Sequence, residues 1–259
     1  MKLKSYQLFL ESNQDKISAH AHWVYSICKK YGIIVYTIND DGSIDVDGNV
    51  DLTYNHTFTI LPLKFRNVTG DFYCYNNKLT TLEGCPKSVG GDFNCHSNQL
   101  TNLEGCPQSV GGDFHCFKNQ LTSLEGCPQS VGGNFSCSSN QLTSLDGCPQ
   151  SIGGHFYCYR NQLTTLEGGP KSVGGLRLQY RGYFNCLSNQ IRDFRGFPEF
   201  WEGLINFSGN PVQKILDEFQ MELRCKAIYW INEYDVIDNY GNVIKDRLDE
   251  VKYKLGILK

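Results

Sequence analysis

One block of 21 residues recurs along this chain. Ser88–Gln108 reads SVGGDFNCHSNQLTNLEGCPQ, and Ser109–Gln129 reads SVGGDFHCFKNQLTSLEGCPQ. Its phenylalanines fall at Phe72, Phe93, Phe114, Phe135 and Phe156, each 21 residues apart. Phe184 follows 28 residues later, after the inserted stretch LRLQYRG at 176–182, and Ile205 resumes the step of 21. Upstream, Val50, Leu52, Asn55, Phe58 and Leu61 fit one more degenerate copy. A unit this short cannot bury its own apolar face, so successive copies must stack and share a core. The repeat therefore predicts a solenoid and rules out most other architectures.

Within a copy, Phe93 and Cys95 alternate with Asn94 and His96, which marks a strand with one buried face. Leu100 and Leu103 follow on the inner side. Between strand and leucines stands an Asn in every copy: Asn55, Asn77, Asn98, Asn119, Asn140, Asn161, Asn189 and Asn210. Its amide is expected to bond the loop backbone of neighbouring turns. Pro and Gly-Gly close each copy and exclude a regular helix on the far side.

The 12 cysteines do not form zinc-type CxxC pairs. One set (Cys74, Cys95, Cys116, Cys137, Cys158, Cys186) follows the repeat phenylalanine, and another (Cys85, Cys106, Cys127, Cys148) precedes the proline. Gly169 and Phe197 fill the second column elsewhere, so that column selects volume rather than bond formation. Reduced packing thiols are expected, and with them a reducing cytosol. A net charge of −3 and a pI near 6.1 give no drive toward nucleic acid or acidic membranes. No apolar run reaches the length of a membrane span.

Phe93, Cys95, Asn98, Leu100 and Leu103 sit where leucine-rich repeats place L-x-L-x-x-N-x-L-x-x-L. The short period with Pro in its second half resembles the bacterial class, whose outer side is extended. The wording GGDFxCxxNQLTSLEGCP is similar to repeat proteins of large tailed bacteriophages and some bacteria. The resemblance covers residues 40–212. It implies a leucine-rich-repeat solenoid with a parallel β-sheet on its concave face, an extended or turn-rich outer side, and helical caps. The corresponding boundaries are 1–49 for an N-terminal cap of helix plus β-hairpin, 50–212 for about eight turns, and 213–259 for a helical C-terminal cap. In the first cap a helix over 13–31 turns Ile17, Val24, Ile27 and Cys28 inward, and NDDGSIDVDG is read as a hairpin turn rather than an EF-hand, since Thr37 and Gly48 occupy the end ligand positions. In the last, VQKILDEFQMELRCKAIYWINEY and KDRLDEVKYKLGIL read as helices.

The freely varying positions point outward from the strands. Tyr73, His115 and Tyr157 belong to one row, Tyr75, His96, Phe117 and Tyr159 to the next, and Lys118 and Arg160 to a third. These nine residues are the candidate partner-binding set, because aromatic side chains give large contact area at small entropic loss. The alternative is plain β propensity, but Ser and Asn serve at the same places in other turns. Arg177, Tyr180 and Arg181 in the insertion form a second candidate contact. A protein partner of host origin is expected. Two cations are too few for a phosphate-tracking groove, which disfavours nucleic acid.

No acid, base and nucleophile converge, so the reading is a non-enzymatic binding scaffold with no cofactor and no metal. His96 and His115 lack a third ligand. The acidic column Glu83, Glu104, Glu125, Asp146 and Glu167 lacks the wording of calcium β-rolls. From the phage resemblance, inhibition of a host defence system in the host cytoplasm is the expected role. The alternative is a packaged virion component, because KSYQLFLES, with Leu8 and Glu11, resembles capsid-targeting leaders cut after a glutamate. An ordinary amphipathic start of the cap is the other reading of that segment, and an enzyme of unrecognised class is the third function considered.

Overall fold

The computed structural model describes residues 19–53, 56–174, 182–198, 201 and 203–258. The leader at 1–11, Ile17, Asn55 and the insertion residues Arg177, Tyr180 and Arg181 lie outside that set. The chain coils into a parallel-strand β-solenoid with two eight-stranded sheets. One sheet is a phenylalanine ladder. It runs in register from Val50 through Phe72, Phe93, Phe114, Phe135, Phe156 and Phe184 to Ile205. Its eight strands bound about seven turns. Phe184 pairs with Phe156 despite the insertion, so the extra residues leave the ladder's register intact.

The second sheet forms on the outer side, where an extended or turn-rich path was expected. Val89, Val110, Val131, Ile152 and Val173 stack there in two-residue Ser-Val or Ser-Ile strands, on Val68 of the preceding Phe65–Val68 strand. Each strand is too short to be stable alone; identical neighbours one turn away supply its hydrogen bonds. Between the sheets lies one continuous core. Phe114, Cys116, Leu121 and Leu124 are fully buried, as are their counterparts in the other central turns, and the second cysteine column closes the same core. All 12 cysteines are free thiols, and all but Cys225 are buried.

The Gly-Gly corner joins the two sheets, and its composition is a matter of space. A Cβ on Gly132 would sit 1.9 Å from the carbonyl oxygen of Gly111 in the turn below, and one on Gly133 would sit 2.1 Å from Oδ1 of Asp113. Asp113 uses that oxygen to accept the Asn134 backbone N–H at 2.6 Å. The same clasp repeats from Asp71 to Asp92 and from Asp92 to Asp113.

The asparagine column does what its position predicted. Asn119 Nδ2 donates to the carbonyls of Cys116 (3.0 Å) and Cys95 (3.1 Å), while its Oδ1 accepts the Leu100 N–H at 3.1 Å. Asn77, Asn98, Asn140, Asn161, Asn189 and Asn210 make the same set, one bond closing the bend within the turn and the other two tying it to the turn before. A buried amide satisfied at both ends holds the coil's inward bend in place of missing sheet bonds.

Helix α1, Ala19–Lys30, buries Val24, Ile27 and Cys28 at the N-terminal end. Tyr36–Ile38 pairs antiparallel with Ile44–Val46, closed by the Asn39–Ser43 turn, so NDDGSIDVDG is a hairpin. At the other end the sequence reads as one long helix after Pro211, but the structure breaks it. Helix α2 covers Gln213–Leu216, a 3-10 turn covers Met221–Leu223, and α3 covers Arg224–Glu233. Gln220 is extended (φ −61°, ψ 149°), which folds the chain back and packs α3 on α2. Helix α4, Lys245–Lys254, packs on α3 and buries Leu248 and Val251. No helix among the described residues is long and apolar enough to cross a membrane.

Candidate surface on the phenylalanine ladder

Because Phe and Cys point inward at every turn, the residues between and after them face out. Tyr73, Tyr75, His96, His115, Phe117, Tyr157 and Tyr159 all lie there, half-buried against one another. In-register stacking turns chemical similarity into a ring column. Tyr75 and His96 stack at 4.6 Å and 18°, and His96 and Phe117 at 4.2 Å and 16°. His115 meets Phe117 edge-on at 5.8 Å, and Tyr73 tilts onto Tyr75 at 6.0 Å. A second group gathers further along: His155, Tyr157 and Tyr183 meet edge-on, with Tyr157 and Tyr183 at 5.9 Å. Six of the seven rings singled out from the sequence thus fall into two aromatic clusters on one face, which Tyr159 shares.

Between the clusters stands a turn whose outward residues are all serine. Ser136 pairs in register with His115 and Tyr157. Ser138 takes the matching place between Phe117 and Tyr159. Ser138 is fully buried by its larger neighbours, and its Oγ has no hydrogen-bond partner.

Lys118 and Arg160 are exposed, but they are not strand residues as the sequence pattern suggested. Asn76, Ser97, Lys118, Ser139, Arg160 and Ser188 all adopt left-handed backbone, with φ of 53–56°. They are the residues that end each strand and begin the inward bend at Asn. A left-handed L-residue costs about 1–2 kcal/mol relative to the right-handed form, with Asn the best tolerated after Gly. Backbone preference does not select Lys or Arg at such a place.

Another column escaped the sequence reading. Asp71, Asp92 and Asp113, followed by Asn134, His155 and Tyr183, line the opposite edge of the same face. Tyr73 OH donates to Asp71 Oδ2 at 3.0 Å, and His115 Nε2 lies 3.7 Å from Asp113 Oδ2. The signal was present as the recurring Asp before Phe, two positions from the next outward residue, but it reads equally well as part of the Gly-Gly turn. The face is therefore acidic along one edge of its first turns and basic along the other edge of its middle turns.

Burial pushes the His96 imidazole down to about 4, helped by His115 and Lys118. His115 is also lowered by burial, against the pull of Asp113 and Asp92. Both rings are neutral at pH 7. Burial and the bond to Asp71 raise Tyr73 to about 12, and burial raises Tyr157. The face presents neutral rings suited to stacking and packing rather than to proton transfer.

The remaining candidates are dispersed. His96 Nδ1 bonds Ser97 Oγ at 2.9 Å. Among the described residues no group of three or more His, Cys, Asp or Glu is placed to hold a metal. Glu83, Glu104, Glu125, Asp146 and Glu167 are exposed, and each backbone N–H is bonded by a side chain two residues earlier. A scan of protein-family models finds no match to this chain, and a search of curated proteins finds no relative.

Proposed function

We propose that this is a leucine-rich-repeat protein that acts by binding another protein through the outward face of its phenylalanine ladder. The reading rests on one observation: the Phe and Asn columns repeat almost without change, while the outward rows vary freely and gather Tyr73, Tyr75, His96, His115, Phe117 and Tyr157 into packed clusters beside Tyr159 on the same face. Strand stability does not require those rings, since Ser136 and Ser138 fill the same rows within an unbroken ladder. Large rigid aromatic side chains are what protein interfaces use as anchors. In a leucine-rich repeat this face is concave, and the flanking helices serve as caps over the open ends of the core.

The resemblance of the repeat wording to phage proteins makes a host protein the favoured partner, with interference in host defence as the role. The scaffold would act in the host cytoplasm, where its free thiols stay reduced.

Changing Tyr75, Phe117 and Tyr159 together to Ser tests this. Serine already stands in that row at Ser138 and Ser208, so the circular dichroism spectrum and the melting temperature should stay close to those of the wild type. Affinity capture from bacterial lysate should lose the bound partner. Undiminished capture by the folded triple variant contradicts the proposal.

A further inference from the structure

The serine turn adds detail to this surface, and the inference from it rests on the binding-face reading. Three observations meet there. Ser138 carries a fully buried hydroxyl without a partner, on the outward side of the sheet. Phe117 and Tyr159 flank it one turn to either side. Lys118 and Arg160, next to those rings, are exposed, sit in left-handed backbone that does not favour them, and make no ion pair among the described residues.

The charge on this part of the face is one-sided. The acidic column ends at Asp113, and its later members are Asn134, His155 and Tyr183. Among the described residues, none on the face beyond that point pairs with the two cations. An unpaired buried hydroxyl between two rings is a poor arrangement for a surface meant only to be wetted, since a buried polar group without a hydrogen bond is destabilising. A ligand that shifts the flanking rings and supplies an acceptor relieves it.

We propose that Phe117, Lys118, Ser138, Ser139, Tyr159 and Arg160 receive an acidic, extended segment of the partner protein, lying along the solenoid axis. Lys118 and Arg160 are two turns apart, which is about 9.6 Å at the usual strand spacing. A polyproline-II segment returns to the same side every third residue, after about 9.3 Å. Carboxylates three residues apart therefore match the two cations. An intervening side chain faces the serine turn and packs on the flanking rings of Phe117 and Tyr159, the kind of contact that aromatic sites for extended peptides use.

The probe is a fluorescein-labelled twelve-residue peptide with Glu at every third position and Pro elsewhere, read by fluorescence anisotropy against the whole protein. A Gln counterpart and a labelled twelve-nucleotide oligothymidine are the comparison ligands. The variant is Lys118→Ser with Arg160→Ser, because Ser occupies that left-handed position in three other turns. The Glu peptide should bind saturably, and its affinity should fall about tenfold on the double variant and with the Gln peptide, as expected for two exposed ion pairs. Absent saturable binding, equal affinity for Glu and Gln peptides, equal affinity for wild type and variant, or tighter binding of the oligonucleotide each overturns the proposal. Capture from lysate separates this result from the broader reading. A partner lost by the triple serine variant but kept by Lys118→Ser/Arg160→Ser leaves the binding face standing and removes its acidic ligand.

Discussion

In reducing buffer the protein should lose most of its stability as the pH is raised from neutrality to about 9.5. The cause is the double column of thiols in its core. Burial pushes Cys28 and Cys106 up to about 12 and raises Cys85, Cys95, Cys116, Cys127, Cys137, Cys148 and Cys158 well above the ordinary thiol value. These thiols stay protonated in the fold but ionise in the unfolded chain above about pH 8.5. The unfolded state then binds fewer protons than the native one, so stability falls as pH rises. Below the unfolded value the contribution is fully present. One unit above it, each thiol costs about 1.4 kcal/mol, and nine cost roughly 12 kcal/mol. That matches the whole stability of an ordinary domain, about 5–15 kcal/mol. Urea midpoints measured with a phosphine reductant should hold steady from about pH 6 to 8 and then collapse by about pH 9.5. A midpoint at the upper pH equal to that at neutrality shows the thiols are not sealed in the core.

Replacing Gly132 by Ala should be among the most damaging single methyl additions in the chain. Gly132 has ordinary backbone, so conformational freedom is not the issue. Its Cβ would enter the carbonyl of Gly111, at 1.9 Å from oxygen and 2.8 Å from carbon. Neither atom can swing away, because both belong to the backbone of the stacked turn below. The turns must part at this corner, which strains the bonds from Gly132 N–H to Val110 O and from Gly133 N–H to Gly112 O. Overpacking against a rigid neighbour costs about 3 kcal/mol or more, and the melting temperature should fall by about 10 °C for a chain of this size. Ser130→Ala, two residues earlier and exposed, is the control and should change stability by less than about 0.5 kcal/mol. A harmless Gly132→Ala would mean that the turns are not stacked at this spacing.

The inward half of the structure was legible because each copy repeats the same constraint. The Phe, Cys and Leu columns and the asparagine bonds follow from local patterns repeated six or more times along the chain, and the 36–46 hairpin from its own turn residues. What the pattern hid is non-local. A Ser-Val pair shows no strand period by itself, and it becomes a sheet only when Val110 meets Val89 and Val131. The Asp clasp joins residues 21 apart, so Asp113 in isolation looks like a turn residue. Left-handed backbone is ordinarily announced by Gly or Asn, and Lys118 and Arg160 give no such notice.

The site divides in the same way. Which aromatic residues face outward was readable from alternation, as was their union on one surface. The burial of Ser138 was not, because it depends on the size of Phe117 and Tyr159 in other turns. Nor was the break at Gln220, where packing of α3 on α2 overrides a good helical sequence.

Photocrosslinking tests most directly whether the ring-bearing face is the recognition surface. Benzoylphenylalanine is placed at position 117 in one preparation and at Ser109, exposed on the opposite sheet, in another, and each is irradiated in bacterial lysate. A discrete adduct from position 117 that is absent from position 109 is the expected result. An adduct from position 109 with none from position 117 contradicts it.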